Sequence, residues 1–266
     1  MNRIALGVSY NGASYHGWQY QNEYTPTIQG NLELALSRIA DEPIRVTCAG
    51  RTDTGVHATN QVVHFTTAAN RQTGAWVSGT NSYLPDSIAV FWADKVPDDF
   101  DARFSAVSRR YLYVIDNNPV RSALTPGLMT HVHRPLDTDK MHLSAQALLG
   151  ENDFTSYRAA NCQANTPMRR VHSITVDRIG DLVLLDITAN AYLYHMVRNI
   201  VGVLIDVGES RKPESWPGEL LALKDRTMGS RTAPPDGLFL IGVSYAGDST
   251  IPSLSWPHFL HGRERD

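Results

Sequence analysis

The chain has 266 residues and a formal net charge of −3, and 42% of its residues are hydrophobic and 19% charged. This composition is typical of a globular protein of about two domains and excludes a disordered or fibrous chain. The two cysteines, Cys48 and Cys162, lack Cys-x-x-Cys spacing, which excludes a disulfide scaffold and a zinc ribbon. No apolar run reaches the roughly 20 residues that span a bilayer. The first residues start a strand-like pattern rather than a signal peptide, so we expect a cytoplasmic protein.

The first part of the chain predicts strands and helices in alternation. Strands are expected at 3–10, 44–49, 61–66 and 88–94. Helices are expected at 28–40, where the apolar residues fall on one face, and more weakly at 72–83. The segment 97–101 combines a helix breaker with turn-forming residues. We therefore divide the chain there into domains 1–101 and 102–266.

The second part predicts the same mixture of elements. Strands are expected at 110–116, 173–179, 182–188 and 238–245, and helices at 138–149, 192–207 and 215–223. The helix at 192–207 has the clearest apolar stripe, and Pro213 follows its end. Helices interleaved with strands that need not be parallel indicate an α+β fold, with helices packed on one face of a sheet.

The positive charge of the chain is carried mainly by arginine. Arginine accounts for 20 of the 24 basic residues. The segment from Arg103 to Arg170 contains nine basic and five acidic residues, which gives it a local net charge of +4. The planar guanidinium group binds phosphate through two hydrogen bonds at once, so such a segment suits RNA. A preference for arginine also arises from genome composition, and charge alone does not decide between the two explanations.

The densest polar segment of the sequence, residues 49–58, lies between two predicted strands. It contains an acid, a guanidinium group, an imidazole and two glycines, which allow a ligand to approach the backbone closely. A carboxylate beside Arg51 is held in its ionised form, so Asp53 is a candidate nucleophile or base. The alternative is a polar turn in which Asp53 caps backbone amides and Arg51 is solvated.

Asp53-Thr54-Gly55 is also the tripeptide of aspartic peptidases, in which two such carboxylates share a proton. A single-chain peptidase needs a second copy, and the sequence has no other Asp-Thr-Gly or Asp-Ser-Gly. A dimer could supply the second copy. The residues before Asp53 are polar, however, where a peptidase has apolar ones, which disfavours this interpretation.

The same segment, 50–59 followed by Gln61-Val62-Val63-His64-Phe65, resembles the signature of the TruA-type tRNA pseudouridine synthases. Further similarity to that family follows in chain order at 10–12, 17–19, 29–33, 102–106, 110–113, 153–157, 195–202 and 233–238. The resemblance thus covers residues 10 to about 245. The chain departs from the family pattern at Asn11, Tyr192 and Tyr194, where the family has Asp, Phe and His.

The resemblance implies an enzyme that isomerises uridine to pseudouridine at positions 38, 39 and 40 of the tRNA anticodon stem-loop. It also implies that each chain consists of two RRM-like (ferredoxin-like) subdomains and that the enzyme works as a homodimer. These subdomains join into an extended, mainly antiparallel sheet with helices on one face and an active-site cleft between them. Isomerisation needs no redox or group-transfer partner, so we expect no cofactor and no metal. The sequence has no phosphate loop or dinucleotide fingerprint, and His131-x-His133 lacks a third ligand nearby.

The resemblance also assigns roles to individual residues. Asp53 is the catalytic carboxylate, Tyr111 stacks on the uracil or moves a proton, and Arg198 pairs with Asp53. Arg51 fills the gap that the flipped nucleotide leaves, and Leu238 and Leu240 wall the uracil pocket. Without the resemblance, each has a common alternative: Tyr111 as a half-buried strand aromatic, Arg198 as a side chain extending to solvent, and the two leucines as sheet core.

Arginines in the basic segment are candidates for phosphate contacts, because RNA is held largely through its backbone and shape. They are Arg103, Arg109, Arg110, Arg158, Arg169 and Arg170. The alternative function is that of an RNA-binding chaperone, which would have the same fold but would not catalyse a reaction. The presence together of Asp53, Tyr111 and Arg198 favours the enzyme.

Overall fold

The computed structural model describes residues 1–247, 251–252 and 256–260. Its strands are β1 (Asn2–Tyr10), β2 (Thr47–Cys48), β3 (His57–Thr67), β4 (Ile88–Lys95), β5 (Ala106–Asp116), β6 (Thr130–His131), β7 (Gly150–Asp153), β8 (Met168–Ile179), β9 (Leu182–Ala189) and β10 (Leu238–Tyr245). Its helices are α1 (Ile28–Ala40), α2 (Thr73–Asn81), α3 (Thr138–Ala145), α4 (Met196–Gly208) and α5 (Trp216–Leu223). Within the described ranges, no helix is both long and apolar enough to cross a membrane.

The chain forms two compact units. Unit 1 comprises Met1–Arg109 with the described residues of Phe239–Asp266, and unit 2 comprises Arg110–Leu238. The predicted domains 1–101 and 102–266 differ from these units chiefly at the C-terminal strand. That strand belongs almost entirely to unit 1, because β10 pairs in parallel with β3. Residues 248–250, 253–255 and 261–266 of the predicted second domain lie outside the described ranges.

Unit 1 is built on β1 and β3, which pair antiparallel along most of their length. The strand order is β4-β1-β3-β10, with the short β2 antiparallel to β3. Helix α1 begins after Thr27, whose hydroxyl accepts a hydrogen bond from the Gly30 amide, and its buried face includes Ile28, Leu32 and Leu36. In α2, Trp76 is fully buried and packs edge to face with Phe65 of β3, with the ring centres 5.1 Å apart. These apolar contacts form the core of the unit.

In unit 2 the strand order is β5-β9-β8-β7, and β6 lies parallel to β5. The pairs β7–β8 and β8–β9 are antiparallel. Helix α3 packs against β8 and α4. Ten of the thirteen residues of α4 are buried, so this helix lies in the core of the unit.

The predicted start of α4 at residue 192 is wrong. The helix begins at Met196, because His195 adopts a left-handed conformation with φ of 60° and interrupts any helix that comes from Tyr192. The backbone of Tyr194 bonds elsewhere: its carbonyl accepts a hydrogen bond from the Ala159 amide at 3.0 Å. The predicted helix at 138–149 is also too long, since regular helix ends at Ala145 and a single 3-10 turn follows.

Strands and helices thus occur together in each unit, which confirms the predicted mixture of helix and sheet. The predictions for α1 and β10 have the observed bounds. The short strands β6 and β7 were not predicted. The RRM-like character of the subdomains, the single helical face and the cleft stay predictions.

Candidate active site

The polar segment of the sequence forms the loop between β2 and β3, here called the catalytic-loop candidate and defined as residues 49–56. Its first residues are bound to a buried side chain. Gln61 on β3 is fully buried, accepts a hydrogen bond from the Gly50 amide at 3.3 Å and donates one to the Gly50 carbonyl. The Arg109 guanidinium group donates to the Ala49 carbonyl at 2.9 Å. The loop therefore leaves the sheet from a fixed position.

The tip of this loop is a tight turn that begins at Asp53. The Val56 amide donates to the Asp53 carbonyl at 3.1 Å, and Gly55 has φ of 80°. A positive φ at the third position of a four-residue turn is characteristic of type II, which favours glycine there. Asp53 is partly buried at the first position of the turn, so its carboxylate projects from a defined backbone.

A second loop, residues 11–18 after β1, packs against the catalytic-loop candidate. The Trp18 amide donates to the Thr52 carbonyl at 3.0 Å, and the hydroxyls of Tyr10 and Thr52 bond at 2.8 Å. Gly17 has φ of 84°, and a Cβ there would lie 2.8 Å from the Thr52 carbonyl oxygen. The residue before Asp53 is thus held through both its backbone and its side chain.

The other side of the turn is held by a histidine. His57 is 1% exposed, and its Nδ1 accepts a hydrogen bond from the Gly12 amide at 3.0 Å. Its ring stacks on Phe239 of β10, with the ring centres 4.7 Å apart. Because Nδ1 accepts, that nitrogen carries no proton. Sequence reasoning did not assign this role to His57, and the Gly-Val-His spacing after Asp53 gave no indication of its partner, Gly12.

Tyr111 lies on β5 in unit 2. It is 8% exposed, and its ring meets that of Tyr192 edge to face, with centres 5.0 Å apart and planes at 85°. The Tyr192 hydroxyl donates to the Ile187 carbonyl at 2.9 Å. Tyr192 is one of the positions where the chain departs from the family pattern, and its phenol hydroxyl has its own acceptor in unit 2.

Arg198 lies in the first turn of α4 and is partly buried between neighbours that are fully buried, as its position beside the apolar stripe predicts. Its Nε donates to the Ala233 carbonyl at 2.8 Å, and the Ala233 amide donates to the Arg198 carbonyl at 3.1 Å. Arg226 holds the same region, since its guanidinium group donates to Asn199 Oδ1 at 2.9 Å and to Thr232 Oγ1 at 3.1 Å. The Arg198 side chain is therefore oriented by the segment that contains Ala233.

The two leucines of β10 are buried, Leu238 at 5% and Leu240 at 0% exposure. Burial of this degree fits the sheet core, which was the alternative interpretation. Their predicted contact with uracil stays a prediction.

Two of the predicted phosphate-binding arginines are engaged inside their own unit. Arg109 donates to backbone carbonyls of Ala49, Arg103 and Ala106. Arg110 forms a bidentate ion pair with Asp186, in which Nε donates to Oδ1 at 2.8 Å and Nη2 donates to Oδ2 at 2.6 Å. These hydrogen bonds raise the pKa of the guanidinium group. A phosphate would have to compete with these acceptors.

The other candidates differ in how far they reach solvent. Arg51 and Arg103 are exposed, and Arg158 is partly buried. Arg170 is exposed and lies 3.2 Å from Glu151, a pair worth little in solvent. Burial lowers the pKa of Arg169, whose guanidinium group donates to the carbonyls of Thr166 and Met168.

Among the residues described, no group of three or more His, Cys, Asp or Glu side chains is arranged to hold a metal ion. His131 of the predicted His-x-His pair bonds through Nε2 to the Asn118 carbonyl at 2.8 Å.

Comparison with known proteins identifies the class of this chain. Residues 7–105 and 144–246 match the sequence model of a family described as tRNA pseudouridine synthase. The chain is 55% identical over 253 residues to the tRNA pseudouridine synthase A of Shewanella sp. (strain ANA-3), which covers 95% of this chain and 97% of that protein. It is 54% identical over 259 residues to the protein of the same name from Pseudoalteromonas atlantica (strain T6c / ATCC BAA-1087), with 97% and 98% covered.

A similar match is to the tRNA pseudouridine synthase A of Escherichia coli (strain SMS-3-5 / SECEC), 55% identical over 250 residues with 94% of this chain and 92% of that protein covered. The first matched range of the family model includes both loops described above, and the second includes α4. The chain belongs to the tRNA pseudouridine synthase family. The resemblance derived from the sequence is thereby confirmed, and with it the class of enzyme, an isomerase that acts on tRNA.

Proposed function

We propose that the protein converts uridines 38, 39 and 40 of the tRNA anticodon stem-loop to pseudouridine, with Asp53 as the catalytic carboxylate. In this reaction the bond between C1′ and N1 breaks and a bond between C1′ and C5 forms. The hydrogen at C5 leaves as a proton, and N1 gains one. Substrate and product are isomers, so the reaction needs no oxidant, reductant or group donor.

The observation that carries this proposal is the rigid setting of Asp53. Thr52 is held by Trp18 and Tyr10, and His57 is held by Gly12, so the backbone is fixed on both sides of the turn. Catalytic groups need placement within about 0.5 Å, which is easier when the neighbouring backbone is already hydrogen-bonded. A capping role would require only a polar turn, not this degree of support.

Further roles belong to the same proposal. Arg198, oriented by the Ala233 carbonyl, pairs with the Asp53 carboxylate, as the resemblance to the family implies. Tyr111, held by Tyr192, stacks on the uracil or transfers a proton. Arg51 is exposed and fills the gap left by the extruded nucleotide, which recovers part of the few kcal/mol of lost stacking.

The remaining features of the proposal concern the assembly. The enzyme works in the cytoplasm as a homodimer, and its active site lies in a cleft between two RRM-like subdomains. Leu238 and Leu240 wall the uracil pocket. Support for these features comes from the resemblance to the family.

The experiment uses unmodified tRNA that carries tritium at C5 of uridine. Formation of the bond to C5 expels the tritium into solvent, so its release reports isomerisation directly. The wild type and Asp98→Asn, a control that removes an exposed carboxylate outside the loop, should release tritium. Asp53→Asn should bind the tRNA without releasing tritium.

Two outcomes would overturn the proposal. Release by Asp53→Asn at the wild-type rate would remove Asp53 from the chemistry. Tight binding of tRNA without release by the wild type would favour an RNA chaperone. Substrates in which cytidine replaces uridine at 38, 39 and 40 test the positions, since release should stop with this tRNA.

A further inference from the structure

The segment between β4 and β5 in unit 1 displays an aromatic side chain to solvent. Phe104 is 79% exposed, and the guanidinium carbon of the exposed Arg103 lies 5.2 Å from the centre of its ring. Burial of a phenylalanine ring stabilises a fold, and this exposed ring contributes little of that stabilisation. We call these two side chains the aromatic platform.

The platform stands on a rigid loop. The Asp101 carboxylate accepts hydrogen bonds from the amides of Arg103 at 2.8 Å and Phe104 at 2.9 Å. The Asp101 amide donates to the Ser105 hydroxyl at 3.0 Å, and the Ser105 amide donates back to the Asp101 carbonyl at 2.9 Å. A loop with this many internal bonds cannot turn Phe104 inward by a small rearrangement.

The centre of the same loop is bound to the sheet of unit 1. The Tyr245 hydroxyl on β10 donates to the Ala102 carbonyl at 2.9 Å, and the Ala102 amide donates to His64 Nδ1 on β3 at 3.0 Å. Ala102 is fully buried between these partners. The exposure of Phe104 is therefore a property of the folded unit and not of a loose segment.

The platform is coupled to the catalytic-loop candidate by one guanidinium group. Arg109 donates to the Arg103 carbonyl at 2.6 Å and to the Ala49 carbonyl, at the start of that loop, at 2.9 Å. Burial raises the pKa of the Cys48 thiol to about 12, and the charges of Arg51 and Arg103 oppose this rise. Both guanidinium groups therefore act on the same thiol, next to the loop that carries Asp53.

We propose that Phe104 and Arg103 form a binding site for a nucleotide of the tRNA that lies next to the target uridine, with its base stacked on the Phe104 ring and its phosphate bound by Arg103. Stacking on an aromatic ring with a nearby arginine is how proteins hold unpaired nucleotides without reading their sequence. Extrusion of the target base leaves a neighbouring base unstacked, and the platform offers it a new face. This inference rests on the proposed function.

Charge favours RNA over a second copy of this chain as the occupant. A two-fold contact places the same surface on both copies, so each copy would bring its own Arg103 into the contact. A stable protein interface also buries about 800 Å² on each partner, far more than one phenylalanine ring supplies. A nucleotide needs only one aromatic face and one cation.

The test compares dissociation constants for tRNA in the Asp53→Asn background, where turnover does not intervene. Phe104→Ala and Phe104→Leu should each weaken binding by about fivefold or more, and Phe104→Trp should retain wild-type affinity, because stacking needs a planar ring. Phe91→Ala, which removes a half-exposed ring on β4, is the matched control and should leave affinity unchanged. Arg103→Gln should lower the slope of log affinity against log salt by about one, whereas the Phe104 variants keep it.

Three results would overturn the inference. If Phe104→Ala binds tRNA with wild-type affinity, the ring is not part of a tRNA site. If Phe104→Leu does so, the ring makes an apolar contact and does not stack on a base. A change of oligomeric state in sedimentation of Phe104→Ala, with unchanged tRNA affinity, assigns the ring to a protein contact. Failure of the proposed function is a separate result, namely the absence of tritium release by the protein with Asp53 intact.

Discussion

Substitution of Gly12 by alanine tests whether the packing of two loops positions Asp53. A Cβ at Gly12 would lie 2.0 Å from the Val56 carbonyl oxygen, and Cβ atoms essentially never come closer than 3.0 Å. The two backbones must therefore separate by at least 1.0 Å, the difference of these distances. The Gly12 amide now lies 3.0 Å from His57 Nδ1, and a shift of that size breaks this hydrogen bond.

The expected loss of stability combines two effects. Overpacking of a tight contact costs roughly 1–3 kcal/mol, and loss of the hydrogen bond adds roughly 0.5–1.5 kcal/mol. We expect the free energy of unfolding of Gly12→Ala to fall by about 1.5–4.5 kcal/mol. The rate of tritium release under conditions where the protein is folded should fall by roughly a hundredfold, because a displacement of about 1 Å misplaces the catalytic group.

Urea unfolding and tritium release measure the two effects on the same preparation. The matched control is Gly74→Ala in α2, where a Cβ meets nothing within 4 Å. That variant should be more stable than the wild type by roughly 0.5–1 kcal/mol, with an unchanged rate. A Gly12→Ala protein with wild-type stability and rate would refute the argument that the two loops pack as one unit.

Further predictions concern residues outside the two loops. Burial lowers the pKa of His64 from 6.5, so the unfolded chain binds a proton first and the free energy of unfolding falls as pH drops below about 6.5. In urea unfolding at two pH values, His64→Asn should show less of this loss, because its amide does not titrate. Its amide oxygen can accept from the Ala102 amide in place of His64 Nδ1, which preserves this contact. Ellman's reagent should modify Cys162 in the folded protein and Cys48 only after unfolding, because Cys48 is buried and burial raises its pKa. Arg226→Met should lower the free energy of unfolding by about 1–3 kcal/mol and lower kcat with little change in tRNA affinity, while Arg226→Lys should restore part of both.

Local periodicity predicts the elements whose stability is local in origin. Helix α1 has its apolar residues on one face and Thr27 as its cap, and both signals lie within the helix or next to it. The strand predicted at 44–49 shows the opposite case, since only Thr47–Cys48 pairs in the sheet. The Val46 amide instead donates to the buried Glu33 carboxylate on α1 at 3.0 Å. An apolar run cannot show that its backbone amides have a side-chain acceptor thirteen residues earlier.

The start of α4 shows a related failure of periodicity. The apolar stripe extends back to Leu193, which is buried, so burial alone favours a longer helix. The backbone before Met196 is instead bonded to a distant loop, through the carbonyl of Tyr194 to the Ala159 amide. Periodicity reports which face is buried, and both a helix and an irregular segment can bury the same leucine.

For the candidate site, residue types and the family motif indicated Asp53, whereas its supports come from elsewhere in the chain. Gly12 and Trp18 contact residues about 35 to 45 positions later. They lie in segments that resemble the family, but the resemblance does not indicate which residues they contact. The close approach of Gly12 to Val56 makes glycine necessary there, a requirement that only the folded chain shows. A substitution at residue 12 or 57 should therefore impair catalysis as a substitution near Asp53 does, although neither residue carries the reacting carboxylate.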